Sequence, residues 1–237
     1  MPHSSQAAPE PQPDPSVAVA LRAMGLDSGQ LRAAVLAGHD LAARFTPNDV
    51  ATRAGFNRWA ETMRYLGDAY VPKGFSRERP GGFEVLRSPD GSYDIAVAPG
   101  NPATGLPDRM PSTRVERGPL TGQAVAGNRD QLRFDSNVVP YGANEPRLDE
   151  QTGSWTWLLL HYHDEWAEEL RSELSAPIEF AVKNESTSQR GLVTRFKPRL
   201  ILPAIPLSDS AEGEDDEDGN QVLTRGGLDV PRRSTPT

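Results

Sequence analysis

Two groups of residues in this 237-residue chain have the types and spacing that chemistry requires. The first is His161-Tyr162-His163-Asp164. Residues i and i+2 of a β-strand point to one face. Both imidazoles can therefore converge on a divalent metal, with Asp164, Glu165 or a distant side chain as third ligand. Catalytic zinc sites keep three protein ligands and one open position. The competing account is a histidine pair at a strand end, half in solvent. The second group gathers before a marked helix start at Gly118-Pro119: Arg109, Ser112, Thr113, Arg114, Arg117 and Thr121. Helix N-termini offer free N–H groups and a partial positive charge, so anions bind there. Arginine adds planar, paired donors that match phosphate. Against this, Thr121 or its neighbours could simply cap the helix, with Arg114 and Arg117 paired to Glu116 or Asp108.

Other catalytic frames are missing from the sequence. It has no Gly-x-x-x-x-Gly-Lys-Ser/Thr phosphate loop, no Gly-x-Ser-x-Gly elbow and no His-Glu-x-x-His helix. Glu179 and Lys183 have the wrong spacing for the Glu-x-Lys of many metal-dependent nucleases. The pairs Asp90/Asp94 and Glu169/Glu173 stand outside any catalytic frame. Asp90 has a conformational task in the Ser88-Pro89-Asp90-Gly91 turn, and Asp94 should alternate outward from Tyr93 and Ile95. A helix-turn-helix is a further arrangement to weigh. Ala51 and Gly55 are four apart, Arg53, Arg58 and Arg64 could face DNA, and a hairpin at 83–97 could be its wing. Glu61 and Thr62, however, stand where the second helix would bury an aliphatic residue. One continuous amphipathic helix from Pro47 explains the same residues more simply.

Composition narrows the classes. There is no cysteine, which excludes disulfides, thiolate catalysis and Cys-ligated metal centres. Residues 1–15 are proline-rich and read as a disordered leader. Residues 207–237 carry an acidic run from Asp209 to Asp218 and read as a disordered tail. That run could be a solvating tail, or it could compete with nucleic acid for the domain's own arginines. The net charge of −8 resides mostly in these ends, which leaves the intervening domain near neutral and compatible with a local basic patch. No signal peptide or long apolar run is visible, so no membrane association and a cytoplasmic location are expected. The richness in Ala, Arg, Asp, Gly and Pro, with few Lys, points to a GC-rich bacterial source.

The elements that must position these residues follow from periodicity. Helices are expected at 16–25 and 28–38, broken by Gly25 and ended near Gly38. Thr46-Pro47-Asn48-Asp49 marks the start of a longer helix, with Phe56, Trp59, Met63, Leu66 and Tyr70 on one face. A hairpin at 83–97 runs into an unusually long loop, and loops of this length are often functional or disordered. A helix is expected from Pro119 to Asn128, loop-like chain over 135–153, and a buried strand at 155–162. Residues 164–176 fit helix or strand equally. A second hairpin pairs 178–182 with 192–196, and 199–202 reads as a last strand.

Helices first and mostly antiparallel strands after them argue an α+β fold. The expectation is one domain over 16–206, with a helical part at 16–70 packed on a sheet-rich part at 83–206. Functionally, a non-enzymatic binding or accessory protein comes first. It would recognise a phosphate-rich partner, nucleic acid foremost, through the arginine-bearing loop, with no cofactor. The alternatives are a metal-dependent hydrolase built on His161, His163 and Asp164, and a protein–protein interaction module meeting its partner at Trp155/Trp157 or the acidic tail.

Overall fold

A computed structural model describes residues 12–134, 154–182 and 189–207. The expected acidic tail, most of the proline-rich leader, the loop-like stretch at 135–153 and the tip of the second hairpin lie outside the described residues. Within them the chain is α+β, with helices α1 (Pro15–Ala23), α2 (Ser28–Ala43), α3 (Arg53–Tyr70) and α4 (Pro119–Phe134). The strands are β1 (Ser76–Glu78), β2 (Val85–Arg87), β3 (Tyr93–Pro99), β4 (Trp155–Asp164), β5 (Glu169–Val182), β6 (Gly191–Ile201) and β7 (Ile205–Pro206). They form one sheet in the order β1-β2-β3-β4-β5-β6, with β7 added to the start of β5. Every pairing is antiparallel except β3 with β4. A parallel pair needs a long crossover, and the long loop together with α4 provides it.

Helix starts follow local capping. Asp14 and Asp27 accept the N–H groups of Ser16 (2.8 Å) and Gln30 (2.9 Å) at the starts of α1 and α2. Gly25, with φ 69°, turns the chain between them. Expected boundaries are displaced in α2 and α3. α2 continues past Gly38 to Ala43, because that glycine is where α2 touches α3. A Cβ there would strike Thr62 Oγ1 and the Arg58 carbonyl. α3 begins at Arg53 rather than Pro47, because the Asp49 carboxylate accepts the N–H of Thr46 (3.0 Å) and closes a turn ahead of it. The helix-turn-helix arrangement is absent here. α3 is one helix, and Arg64 is held by Glu61 and Asp68.

Both faces of the sheet are covered. On one, Leu21, Leu31, Val35, Met63, Leu66 and Tyr70 from α1–α3 pack on Ile95, Val97, Trp157, Leu159 and Leu174. On the other, Val125 of α4 packs with Ala96, Ala98, Leu158, Leu160, Val193 and Phe196. This two-sided cover explains the run Trp157-Leu-Leu-Leu160. It also corrects the expectation for Asp94, which is buried rather than outward and accepts from Arg87 (2.8 Å) and Ser154 Oγ (2.8 Å). Residues 169–182 are strand. The helical alternative fails because Leu170, Leu174 and Ala176 share one buried face of β5. Arg199 and its neighbours extend β6 instead of forming a separate strand.

α4 runs to Phe134, past the expected end at Asn128. Asn128 is fully buried. Its amide donates to the carbonyls of Thr156 (2.7 Å) and Pro177 (3.0 Å) and accepts the Thr156 N–H (2.8 Å). It thus bridges β4 and β5 ahead of their regular pairing, which begins at Leu158↔Ser175.

The long loop is tied down along its length. Asn101 N–H donates to Ser112 O (3.0 Å), closing its neck. Gly105 N–H donates to buried Glu173 (2.9 Å), and Arg199 donates to the carbonyls of Leu106 (3.0 Å) and Arg109 (2.8 Å). Its last part bridges the end of β3 and the edge strand β6. Arg114 N–H donates to Pro99 O (2.8 Å) on one side. On the other, Thr113 N–H donates to Val193 O (3.0 Å), and Arg117 and Gly191 exchange two backbone bonds.

Candidate functional site: a cluster of arginines and histidines

The loop hydrogen bonds decide where Arg114 stands. It is anchored to Pro99, Pro99 is the register partner of His161, and His161 is the register partner of Ser172. Four positions therefore lie side by side across the sheet. The helices complete the group. The Gly38–Arg58/Thr62 contact, with Thr62 Oγ–H donating to the Arg58 carbonyl (2.8 Å), sets His39 of α2 beside Arg58 of α3. The His39 ring meets His163 edge-on, with centroids 4.6 Å apart.

Burial and like charge govern the electrostatics. His161 is 3 % exposed, and neither ring nitrogen has a hydrogen-bond partner. Its pKa is held down to about 3, chiefly by burial, then by Arg58 and His39. His39 Nδ1 is also buried without a partner, and burial, Arg58 and His163 lower its pKa against a small opposing pull from Asp40. Arg58 Nε is shut from solvent without an acceptor, and burial and then Arg114 lower its pKa. Ser172 Oγ, facing the same side as His161, is likewise unpartnered. Among the described residues no carboxylate forms an ion pair with Arg58 or Arg114. Buried polar groups normally find partners, so such a concentration of unpartnered groups calls for an explanation. An oxyanion would accept from the donors among them.

The six loop residues divide by role. Thr113 is buried, and its Oγ1 accepts the Val193 N–H (3.1 Å), so it staples the loop to β6. Ser112 serves through its carbonyl, and Thr121 is buried in the first turn of α4, donating its N–H to Gly118 O (3.1 Å). Arg109 is exposed, with its carbonyl held by Arg199. Arg117 is half-buried beside Arg190; burial and then that neighbour lower its pKa. Arg114 is the member brought to the cluster. Of the metal trio, His161 and His163 share a face. The Asp164 carboxylate is engaged elsewhere, by Arg171 (2.6 Å) and by the N–H groups of Trp166 and Ala167. No group of three or more potential ligands suited to a metal occurs among the described residues.

Sequence reasoning missed His39 and Ser172, and it placed Arg58 in a different setting. The available signal for His39 was its neighbour. A glycine inside a helix costs about 1 kcal/mol relative to alanine, so Gly38 marked a close approach. Two clefts of about 320 and 340 Å³ flank α1, and neither is lined by a residue of these groups. No helix among the described residues is long and apolar enough to cross a membrane. No protein-family model, curated protein or solved structure matches the chain.

Proposed function

We propose that this protein binds a phosphate-bearing polyanion, nucleic acid foremost, along the loop segment that closes the sheet, and that it does so as a binding or accessory protein of the bacterial cytoplasm. The observation that carries this reading is Arg58 beside Arg114, with no carboxylate ion-paired to either among the described residues and an orphaned guanidinium nitrogen. A second like-charged pair lies close by, Arg117 on the same segment and Arg190 just ahead of β6. Two like-charged arginine pairs near one segment suit successive phosphates, because each held phosphate relieves a repulsion present in the free protein. The near-neutral domain confines that attraction to this edge.

The test is fluorescence anisotropy with single-stranded and duplex oligonucleotides over a salt series. Affinity should fall linearly in log–log form, and Arg114→Gln should flatten the slope by about 0.7 to 0.9 for each phosphate that the variant no longer holds. Salt-independent binding, or an unchanged slope in the variant, refutes it. Removing 208–237 should strengthen binding at low salt if the acidic run competes for the same arginines.

A further inference from the structure

The cluster under α2 and α3 has features that an internal phosphodiester would not use. We infer that it is a subsite for a terminal phosphate, so that the protein recognises phosphorylated ends of nucleic acid; this rests on the polyanion reading above. Charge comes first. Arg58 and Arg114 are joined by three imidazoles, His39, His161 and His163, and Asp40 is the one acid that acts on His39. A phosphodiester brings a single negative charge. A phosphomonoester brings close to two near neutral pH, with three strong acceptor oxygens.

Donor count comes second. Arg58 Nε, His39 Nδ1, both nitrogens of His161 and Ser172 Oγ are all buried and unpartnered. Neutral His161 donates from one ring nitrogen at a time, which leaves up to four donors; a diester offers them two non-bridging oxygens and a monoester three. Position comes third. His161 is buried beside α2 and α3, while Arg114 is exposed. On this reading a group carrying one substituent would enter end-on past Arg114, whereas a diester, with a sugar on each side, would stay at the exposed arginines. The remaining strand would then leave along 114–117, where Arg117 and Arg190 stand ready for the next phosphates.

The site also accounts for the lowered pKa of His39 and of His161. With no anion present, burial and then Arg58 oppose a proton on His39 and on His161. An entering dianion reverses that balance, so binding draws protons onto His39 and His161 and strengthens as pH falls. The groups that face this change are His39 and Asp40 on α2, Arg58 on α3, Arg114 on the loop, His161 and His163 on β4, and the neutral Ser172 on β5.

The experiment uses the full chain and matched short single-stranded oligonucleotides bearing a 5′-phosphate, a 3′-phosphate or hydroxyls at both ends, with inorganic phosphate as a separate probe. A phosphorylated end should bind about tenfold or more tightly than the hydroxyl form at physiological salt. That advantage should vanish in Arg58→Gln and in the exposed-site variant Arg114→Gln, whose circular dichroism should match wild type. Nitrogen NMR should show the His161 imidazole responding to the phosphorylated oligonucleotide and not to the hydroxyl one. Equal binding of all three oligonucleotides overturns end recognition and leaves the polyanion reading standing. Binding of none overturns both. If inorganic phosphate alone binds as tightly as a phosphorylated end, the ligand is the free ion and end recognition falls.

Discussion

Arg199 and Arg58 are both sheltered arginines on the framework around the long loop, yet their surroundings are opposite. Arg199 grips buried Glu173 through Nε (3.1 Å) and Nη2 (2.5 Å), and Ser175 Oγ (2.7 Å) and Gly105 N–H complete the carboxylate's partners. Its remaining donors go to loop carbonyls. Charge and hydrogen-bonding capacity are both answered within the chain. Arg58 has neither answer, and it sits near a second arginine and an imidazole with no partners. The difference separates scaffold from site. A satisfied buried network fixes a structure, whereas an unsatisfied one of a single charge sign stores a preference for something outside the chain.

Breaking each arginine in turn tests this contrast most strongly. Arg199→Met strands the Glu173 charge in the interior and should cost about 3–5 kcal/mol in urea unfolding. It should also expose 101–112 to proteolysis, since the loop loses two of its tethers. A loss near zero would mean that the network does not hold the loop.

Gly38→Ala comes next. Its Cβ would meet Thr62 Oγ1 and the Arg58 carbonyl, so α2 and α3 must separate, at about 1–3 kcal/mol. Anion affinity should fall with stability, because the same contact sets His39 beside Arg58. Unchanged stability would show that the helices have room to spare there.

Acid sensitivity sharpens the comparison further. The His161 pKa is depressed to about 3, against 6.5 in the unfolded chain. Between those values the unfolded state binds a proton that the folded state refuses. Stability from this group is therefore intact above pH 6.5 and is lost as pH falls, by up to about 1.4 kcal/mol per unit. In His161→Leu the difference in Tm between pH 7 and pH 5 should shrink. An undiminished difference would place the acid sensitivity elsewhere.

The smallest expected effect is the most discriminating. Arg58→Met removes a charge that has no partner, so its stability should stay within about 0.5 kcal/mol of wild type or rise. If it costs as much as Arg199→Met, the two arginines are equivalent and the contrast collapses.

Much of the architecture was legible because it rests on local signals. The Ser88-Pro89-Asp90-Gly91 turn, the Pro119 helix start and the apolar run after Trp155 each specify their element within a few residues. Periodicity misjudged Asp94, since alternation identifies an outward face only when one side of a sheet meets water, and α4 covers the second side. Asn128 stood at the expected end of α4; a distant gap between β4 and β5 recruited it instead.

The sequence by itself determined the α+β class, the helical and sheet-rich parts, and an arginine-bearing loop whose charge is not dissolved in the overall −8. It also supplied His161 and His163 as a same-face pair, because strand geometry is a local property. Tertiary structure alone decided which partners those residues meet. Register set Arg114, Pro99, His161 and Ser172 in a row, and one side-chain-free contact at Gly38 brought His39 and Arg58 above them. These juxtapositions join segments scattered from residue 38 to residue 172. They follow from packing between elements, on which spacing along the chain carries no information.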